Sequence, residues 1–240
     1  MITIAESEHI FDQTAASRVT GQIISKPDSV IGLSTGRTTG NMHRLIAVRC
    51  EEGDIDTSRV TFFGVDEITD VPRDYYGSCY RMIRSEMLDR MGFDDENFLM
   101  LPTFSDDFRL ACEDFVKEIE RRGGIDLLIL GLGENGHLGF NQPDSPYEKD
   151  AWVTDMDPEL LARVRREVGE NGDYKGITLG LQMIMSSRRI ILAAKGAHKA
   201  NAVKLMLKGN VSTEFPASFL QMHPDCEFLL DTAAAALIKE

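Results

Sequence analysis

The sequence predicts an α/β fold of the doubly wound, Rossmann-like type, in which a mostly parallel sheet carries helices on both faces. Short apolar runs rich in β-branched residues alternate with longer amphipathic segments, as in strands joined by crossover helices. The short runs are almost continuously hydrophobic, which indicates burial on both faces. The chain has 240 residues, of which 42% are hydrophobic, and this is enough to bury one full core. We therefore predict a single domain spanning residues 1–240.

Five segments are predicted as strands because each is a short apolar run bounded by polar residues or glycine. They are residues 29–33 (SVIGL), 59–65 (RVTFFGV), 125–131 (IDLLILG), 189–194 (RIILAA) and 227–231 (EFLLD). Apolar residues from Phe108 to Ile119 recur at three- and four-residue spacing, which predicts a helix over 106–122 that ends at Gly123. A charged helical stretch at about 153–175 fits a solvated surface helix or a lid over a site.

Charge and cysteine content restrict the partners. Lys and Arg number 26 against 39 Asp and Glu, a net charge of −13, which disfavours nucleic acids and anionic membranes. The four cysteines are widely spaced without a zinc-ligand pattern, so we expect reduced thiols, no metal and no cofactor. The N-terminal residues lack a signal-peptide pattern and no apolar run reaches membrane-span length, which predicts a cytoplasmic protein.

The first candidate site segment is residues 30–46, VIGLSTGRTTGNMHRLI. A buried strand ends in a turn of hydroxyl residues and glycine, and a helix follows. Glycine permits close backbone approach, and a helix start presents free N–H groups at the positive end of its dipole. The turn therefore suits an anion such as phosphate, although an ordinary capped helix explains it equally well.

Two further segments carry acid–base groups at predicted strand ends. Asp66 and Glu67 follow a buried strand, where partial burial would raise a carboxylate pKa toward that of a general base. A turn residue or a helix cap is the simpler explanation of such an acid. His137 lies on a glycine-rich loop after the strand at 125–131, a place suited to proton transfer near neutral pH.

These three segments, in this order, resemble the glucosamine-6-phosphate deaminase and galactosamine-6-phosphate isomerase family of the 6-phosphogluconolactonase superfamily. The likeness extends from about residue 30 to 231, and its most discriminating part is G-x-G-x-[ND]-G-H-[IL]-[AG]-F-N-x-P at residues 131–143. The related lactonases follow G-H with T-A-S-L-F-P, which residues 138–141 do not match. The resemblance implies a fold of the deaminase/isomerase type.

The resemblance also implies a reaction. The substrate is a small amino sugar phosphate, glucosamine 6-phosphate or galactosamine 6-phosphate, converted to a ketose 6-phosphate and ammonia by a hydrolase that is also an aldose–ketose isomerase. Asp66 is implied to move a proton between C2 and C1, and His137 to open the sugar ring with help from positions 135 and 142. The residues implied to bind the phosphate are Thr35, Gly36, Arg37, Thr38 and Lys199.

Two departures from the family pattern leave alternatives open. Asn135 and Gln142 stand where the family has an acid and a glutamate, and neutral amides can orient His137 but cannot stabilise an imidazolium by charge. A sugar-phosphate-binding regulator with weakened catalysis is therefore one alternative, and a 6-phosphogluconolactonase-like hydrolase on the same scaffold is the other. The sequence does not choose the sugar epimer, a homo-oligomeric state, or which of Arg163, Arg165 and Arg166 meets the phosphate.

Overall fold

The computed structural model describes residues 1–238, and its main element is a seven-stranded sheet in which every strand pairing is parallel. In spatial order the strands are β1 (Ile2–Ala5), β10 (Cys226–Asp231), β9 (Ile190–Ala194), β6 (Leu127–Gly131), β2 (Val30–Leu33), β3 (Thr61–Gly64) and β5 (Phe98–Leu99). All five predicted strands are present. The edge strands β1 and β5 were not predicted, because an exposed edge strand and a two-residue strand carry a weak pattern.

Seven α-helices connect the strands within the described part of the chain. They are α1 (Glu8–Ser25), α2 (Gly40–Glu52), α3 (Cys79–Ile83), α4 (Phe108–Arg121), α5 (Pro158–Val168), α6 (Leu181–Met185) and α7 (Ala200–Lys208). A π-helical turn, Arg84–Leu88, continues α3, and 3₁₀ turns cover Asp95–Asn97, Ala197–Lys199 and Pro216–Met222. The helix predicted at 106–122 is α4, which the Asp107 side chain caps by accepting a hydrogen bond from the Leu110 N–H.

Alternate residues of the central strands enter two different cores, so the sheet is covered on both faces. Ile31 and Leu33 of β2 pack in a core with residues of α1 and α2. Val30 of β2 and Leu128 of β6 pack in another with residues of α4 and α7. Because side chains of a strand alternate between faces, both cores require apolar residues. The doubly wound α/β prediction is confirmed, and two-sided burial explains the continuous hydrophobic runs.

A second, three-stranded antiparallel sheet contains β4 (Asp66–Ile68), β8 (Gly176–Leu179) and β7 (Ala151–Thr154), with β8 in the middle. Beside it lies a small apolar cluster that includes Ile68 and Val164, the latter from α5. The predicted lid segment thus contains the end of β7 and the whole of α5, which is anchored by one buried face. Its motion stays a prediction.

The chain changes winding direction between β2 and β6. From β2 it proceeds to β3 and β5 on one side, and from β6 to β9 and β10 on the other. Ser34 ties the two strand ends together: its N–H donates to Ile129 O at 3.1 Å, and its Oγ accepts from the Gly131 N–H at 3.1 Å. Crevices at such a point, outside the carboxyl ends of the strands, are where open α/β sheets bind ligands.

All four cysteines are free and buried. Within residues 1–238, no helix has both the length and the apolar character required to cross a membrane.

Candidate active site

A cavity of about 280 Å³ opens at the carboxyl ends of β2, β3, β6 and β9, which are neighbours in the sheet. The three segments singled out from the sequence all contribute to it. Its polar and charged lining includes Thr35, Arg37, Thr38, Asp66, Cys79, His137, Arg163, His198 and Lys199. Parallel strands present their carboxyl ends at one edge, which explains how residues more than 100 positions apart in the chain come together.

The turn after β2 presents an uncapped helix start to this cavity. The Thr39 side chain makes no capping bond to α2, and its Oγ instead donates to Gly36 O at 3.3 Å. Lys199 approaches from the 3₁₀ turn after β9; burial lowers its pKa, and the nearby Arg37 charge lowers it further, whereas Glu134 raises it. The positive end of the α2 dipole, without a side-chain cap and beside two cations, forms a place for an anion, which favours the anion site over a plain capped helix.

Asp66 is the buried acid of the cavity, with 9% of its surface exposed. Burial raises its pKa to about 6, and a hydrogen bond from Cys79 Sγ to Oδ1 at 3.3 Å acts in the opposite direction. The other oxygen, Oδ2, lies against Gly139, where an added Cβ would come within 3.3 Å of it. A carboxylate with such a pKa is ionised at neutral pH and its conjugate acid remains a good donor, as a proton-transferring base requires.

Glu67 is buried in a different environment. Its Oε1 accepts from the Ile68 and Cys79 N–H groups at 2.8 and 2.9 Å, and its Oε2 accepts from the Tyr80 N–H at 2.8 Å. Burial raises its pKa to about 7 despite these bonds. The helix-cap explanation of the acidic pair is therefore right for Glu67, which holds the start of α3.

His137 lies on a tight loop after β6. The Gly133 N–H donates to His137 O at 3.0 Å, and a Cβ at residue 133 would overlap the imidazole. His137 Nδ1 is 2.8 Å from Asn135 Oδ1, and Asn135 Nδ2 donates to Gln142 Oε1 at 2.9 Å. Because an amide oxygen only accepts, Nδ1 carries the proton and Nε2 keeps a lone pair.

The relay of Asn135 and Gln142 carries no charge, so the charge state of the imidazole is set by burial and by more distant charges. Burial is the main cause that lowers the pKa of His137, the Lys199 charge lowers it further, and Asp157 raises it. Asn135 and Gln142 do not line the main cavity; they face an adjacent depression shared with Asp157. Asn135 and Gln142 thus orient His137 from the side of the ring that faces away from the main cavity, and the ring stays neutral at pH 7.

The structure separates the three arginines that the sequence left equivalent. Arg163 lines the cavity with Leu160, one turn earlier on α5. Arg165 and Arg166 lie beside a separate depression on the same helix. Successive helical residues are rotated by about 100° around the axis, so Arg165, two positions on, faces away from the cavity, whereas Arg166 lies about one turn further along α5.

Sequence reasoning missed two contributors. Cys79, interpreted as one of four scattered thiols, lines the cavity and contacts Asp66. Ser34 locks the strand ends at the switch point. Neither residue type signals its role locally, and only the pairing of distant elements could reveal it. Within residues 1–238, no group of three or more His, Cys, Asp or Glu residues is arranged to hold a metal ion.

A polar crevice at the winding switch, with a positive turn on one wall, places this chain in the class of doubly wound α/β proteins that bind small anionic ligands. Family comparison makes the assignment specific. The protein-family model for glucosamine-6-phosphate isomerases/6-phosphogluconolactonase matches residues 6–228. The chain therefore belongs to this family.

Similar proteins are found along the whole chain. A glucosamine-6-phosphate deaminase of Halothermothrix orenii is 36% identical over 239 residues, 99% of each chain. One of Thermoanaerobacter pseudethanolicus is 35% identical over 242 residues, covering 100% of this chain and 95% of the relative. The solved structure of a monomeric glucosamine-6-phosphate deaminase superposes with a TM-score of 0.91 at 28% identity, over 98% of this chain and 99% of that one.

The fold is shared more widely. A 6-phosphogluconolactonase from Trypanosoma brucei has a TM-score of 0.77 at 21% identity, over 98% of this chain and 97% of that one. At that identity the likeness concerns the fold alone.

Proposed function

We propose that the protein is an amino sugar phosphate deaminase that converts glucosamine 6-phosphate and water to a ketose 6-phosphate and ammonia. The observation that carries the proposal is that Asp66 and His137 line one cavity with the positive turn at Thr35–Thr38. The names of the relatives support glucosamine as the amino sugar. Galactosamine 6-phosphate is the alternative epimer that the same machinery could process.

Ring opening is assigned to His137. Its Nδ1–H is held by Asn135 Oδ1, so the lone pair on Nε2 is available to take the proton of the anomeric hydroxyl. Returning that proton to the ring oxygen opens the hemiacetal to the aldehyde. Because the pKa of His137 is lowered, the ring is neutral at pH 7 and ready to act as the base of this step.

Proton transfer between carbons is assigned to Asp66. The ionised carboxylate removes the C2 proton of the open-chain aldehyde while the C2 ammonium group gives a proton to O1, which forms a neutral enolamine. The acid form of Asp66 then protonates C1 and leaves the nitrogen as an iminium at C2. The C2 iminium then adds water and loses ammonia, which leaves the ketone. The net change is hydrolytic loss of ammonia coupled to aldose–ketose isomerisation.

Phosphate binding is assigned to Thr35, Gly36, Arg37 and Thr38 of the turn, with Lys199 beside them. These residues combine backbone N–H groups with positive charge, which matches a phosphate dianion. Arg163 extends this set from α5, so the segment 153–175 is proposed as a lid whose closure completes the phosphate site. We also propose that residues 1–240 form a single domain and that the protein is cytoplasmic; a homo-oligomer stays a prediction.

The test is a paired product assay on the purified protein. Glucosamine 6-phosphate and galactosamine 6-phosphate are incubated separately, and ammonia and ketose phosphate are measured in each reaction, with 6-phosphogluconolactone as a third substrate. We expect glucosamine 6-phosphate to give equal molar amounts of ammonia and ketose phosphate. Lactone hydrolysis without deamination would support the lactonase alternative, and tight binding of the amino sugar phosphate without turnover would support a regulator.

A further inference from the structure

A chain of side-chain hydrogen bonds joins the positive turn to the buried acid through one cysteine. Thr35 Oγ donates to Cys79 Sγ at 3.1 Å, and Cys79 Sγ donates to Asp66 Oδ1 at 3.3 Å. Both distances lie within the range for sulfur hydrogen bonds. The thiol therefore stands between two residues that serve different parts of the proposed reaction.

The backbone around Cys79 holds the thiol in place. The Glu67 carboxylate accepts the N–H groups of Cys79 and Tyr80, and Ser78 Oγ accepts the Arg81 N–H at 3.1 Å, so the start of α3 is fixed on two sides. Cys79 itself is 5% exposed. A side chain so confined has little freedom to turn away from Asp66.

The chemistry of the thiol at this place is that of a donor. Burial raises the pKa of Cys79 well above its usual value, and the neighbouring carboxylates of Asp66 and Glu67 raise it further. The group therefore stays protonated at neutral pH and is unsuited to act as a nucleophile. Its one hydrogen is directed at the carboxylate.

We propose that Cys79 is a positioning residue that holds Asp66 Oδ1 and leaves Oδ2 as the oxygen that carries the proton, an inference that rests on the proposed deaminase function. Oδ2 lies against Gly139, on the lining of the cavity, whereas Oδ1 is engaged by the thiol. Thr35, whose hydroxyl donates to the sulfur, belongs to the same arrangement and is assigned to phosphate binding through its backbone N–H.

Other titratable and charged groups face the cavity, but the thiol differs from them because it contacts the Asp66 carboxylate directly. Of these, Arg37, Arg163 and Lys199 are cations, His137 and His198 are imidazoles on the same lining, and Glu67 neighbours Asp66 on its own strand. Among the described residues, the hydrogen bond from Cys79 is the side-chain contact to the Asp66 carboxylate. Loss of the thiol should therefore change the properties of Asp66 more than it changes phosphate binding.

The experiment compares Cys79→Ala and Cys79→Ser with Cys50→Ala, a matched loss of a buried thiol on α2. With glucosamine 6-phosphate, Cys79→Ala should lower kcat about tenfold with little change in KM, whereas Cys79→Ser and Cys50→Ala should remain near wild type. The low-pH limb of kcat/KM should move to higher pH in Cys79→Ala, since the ionised carboxylate loses a donor. Thermal melting verifies that each variant is folded.

A second measurement is independent of turnover. Carbon-13 NMR titration of the Asp66 carboxyl group in the ligand-free protein should show a higher pKa in Cys79→Ala than in wild type, and a lesser rise in Thr35→Val, which removes the donor to the sulfur. An unchanged Asp66 pKa together with wild-type kcat in Cys79→Ala would overturn the proposal. If wild type lacks deaminase activity, the proposed function fails, whereas this titration still decides whether the thiol holds Asp66.

Discussion

Asp66 and Glu67 are adjacent in the chain, yet their carboxylates serve different structures. Asp66 lines the cavity and is held by a thiol, whereas Glu67 accepts the N–H groups of Cys79 and Tyr80 at the start of α3 and that of Ile68 on its own strand. The two residues lie on the short strand β4, where successive side chains point to opposite faces. One acid is thereby left for chemistry while its neighbour anchors the helix that carries Cys79.

Asp66→Asn should abolish turnover of glucosamine 6-phosphate. Because the amide cannot accept the C2 proton, we expect kcat to fall by about 10³-fold or more, with affinity for a hexitol 6-phosphate close to wild type. Steady-state kinetics and calorimetric titration measure the two quantities. Glu67→Gln is the comparison: it should lower the melting temperature and retain far more of kcat, and equal losses of kcat in both variants would count against the assignment.

Asp66→Asn should also stabilise the folded state above pH 6. The pKa of Asp66 is raised from 3.8 to about 6 on folding, so the folded state binds a proton more tightly than the unfolded state. Stability from this group is complete below pH 4 and is lost as the pH rises through about 6. Asp66→Asn should therefore unfold like wild type at pH 4 and be more stable by about 3 kcal/mol at pH 8, measured by urea unfolding.

Asn135→Asp should raise the pKa of His137. The substitution places a negative charge at the atom that lies 2.8 Å from Nδ1, which stabilises the imidazolium. We expect a rise of about 1–2 in the pKa, read from the imidazole signals in an NMR titration, and a shift of the low-pH limb of kcat/KM in the same direction. Gln142→Glu, one hydrogen bond further away, should have a smaller effect; a larger one would contradict the relay geometry.

Arg163→Ala should weaken binding of the phosphorylated substrate, and Arg165→Ala should not. Both arginines lie on α5, but Arg163 lines the cavity and Arg165 faces a separate depression. Loss of a charge-assisted phosphate contact should raise KM for glucosamine 6-phosphate by about tenfold or more. Similar KM values for the two variants would remove Arg163 from the proposed phosphate site.

Gly139→Ala should impair both stability and activity, whereas Gly92→Ala should impair stability alone. Both glycines have φ +59, but a Cβ at 139 would lie 2.7 Å from Thr178 Oγ and 3.3 Å from Asp66 Oδ2, while at 92 nothing lies within 4 Å. The left-handed backbone costs about 1–2 kcal/mol with an added Cβ in either case. Unfolding curves and kcat separate the two contributions, and a fully active Gly139→Ala would contradict the tight packing at Asp66.

Much of the architecture follows from local patterns. The strand runs that form β2, β3, β6, β9 and β10 are apolar along their length because both faces of the sheet are covered. The helix at α4 follows from its spacing and its stop at Gly123. By contrast, β4, β7 and β8 were not predicted, because a small antiparallel sheet at the edge of a site contains short strands with mixed composition.

The sequence by itself determined the doubly wound fold class, the strand-end loops and the residue types at Asp66, His137 and Thr35, because strand burial, turn chemistry and motif spacing are local properties of the chain. Only the tertiary structure decided that Cys79 contacts Asp66, that Glu67 is a cap and that Arg163 faces the cavity. Those relationships depend on the rotation of a helix and the meeting of distant segments. Such geometry is set by packing among many residues, which no short stretch of sequence encodes.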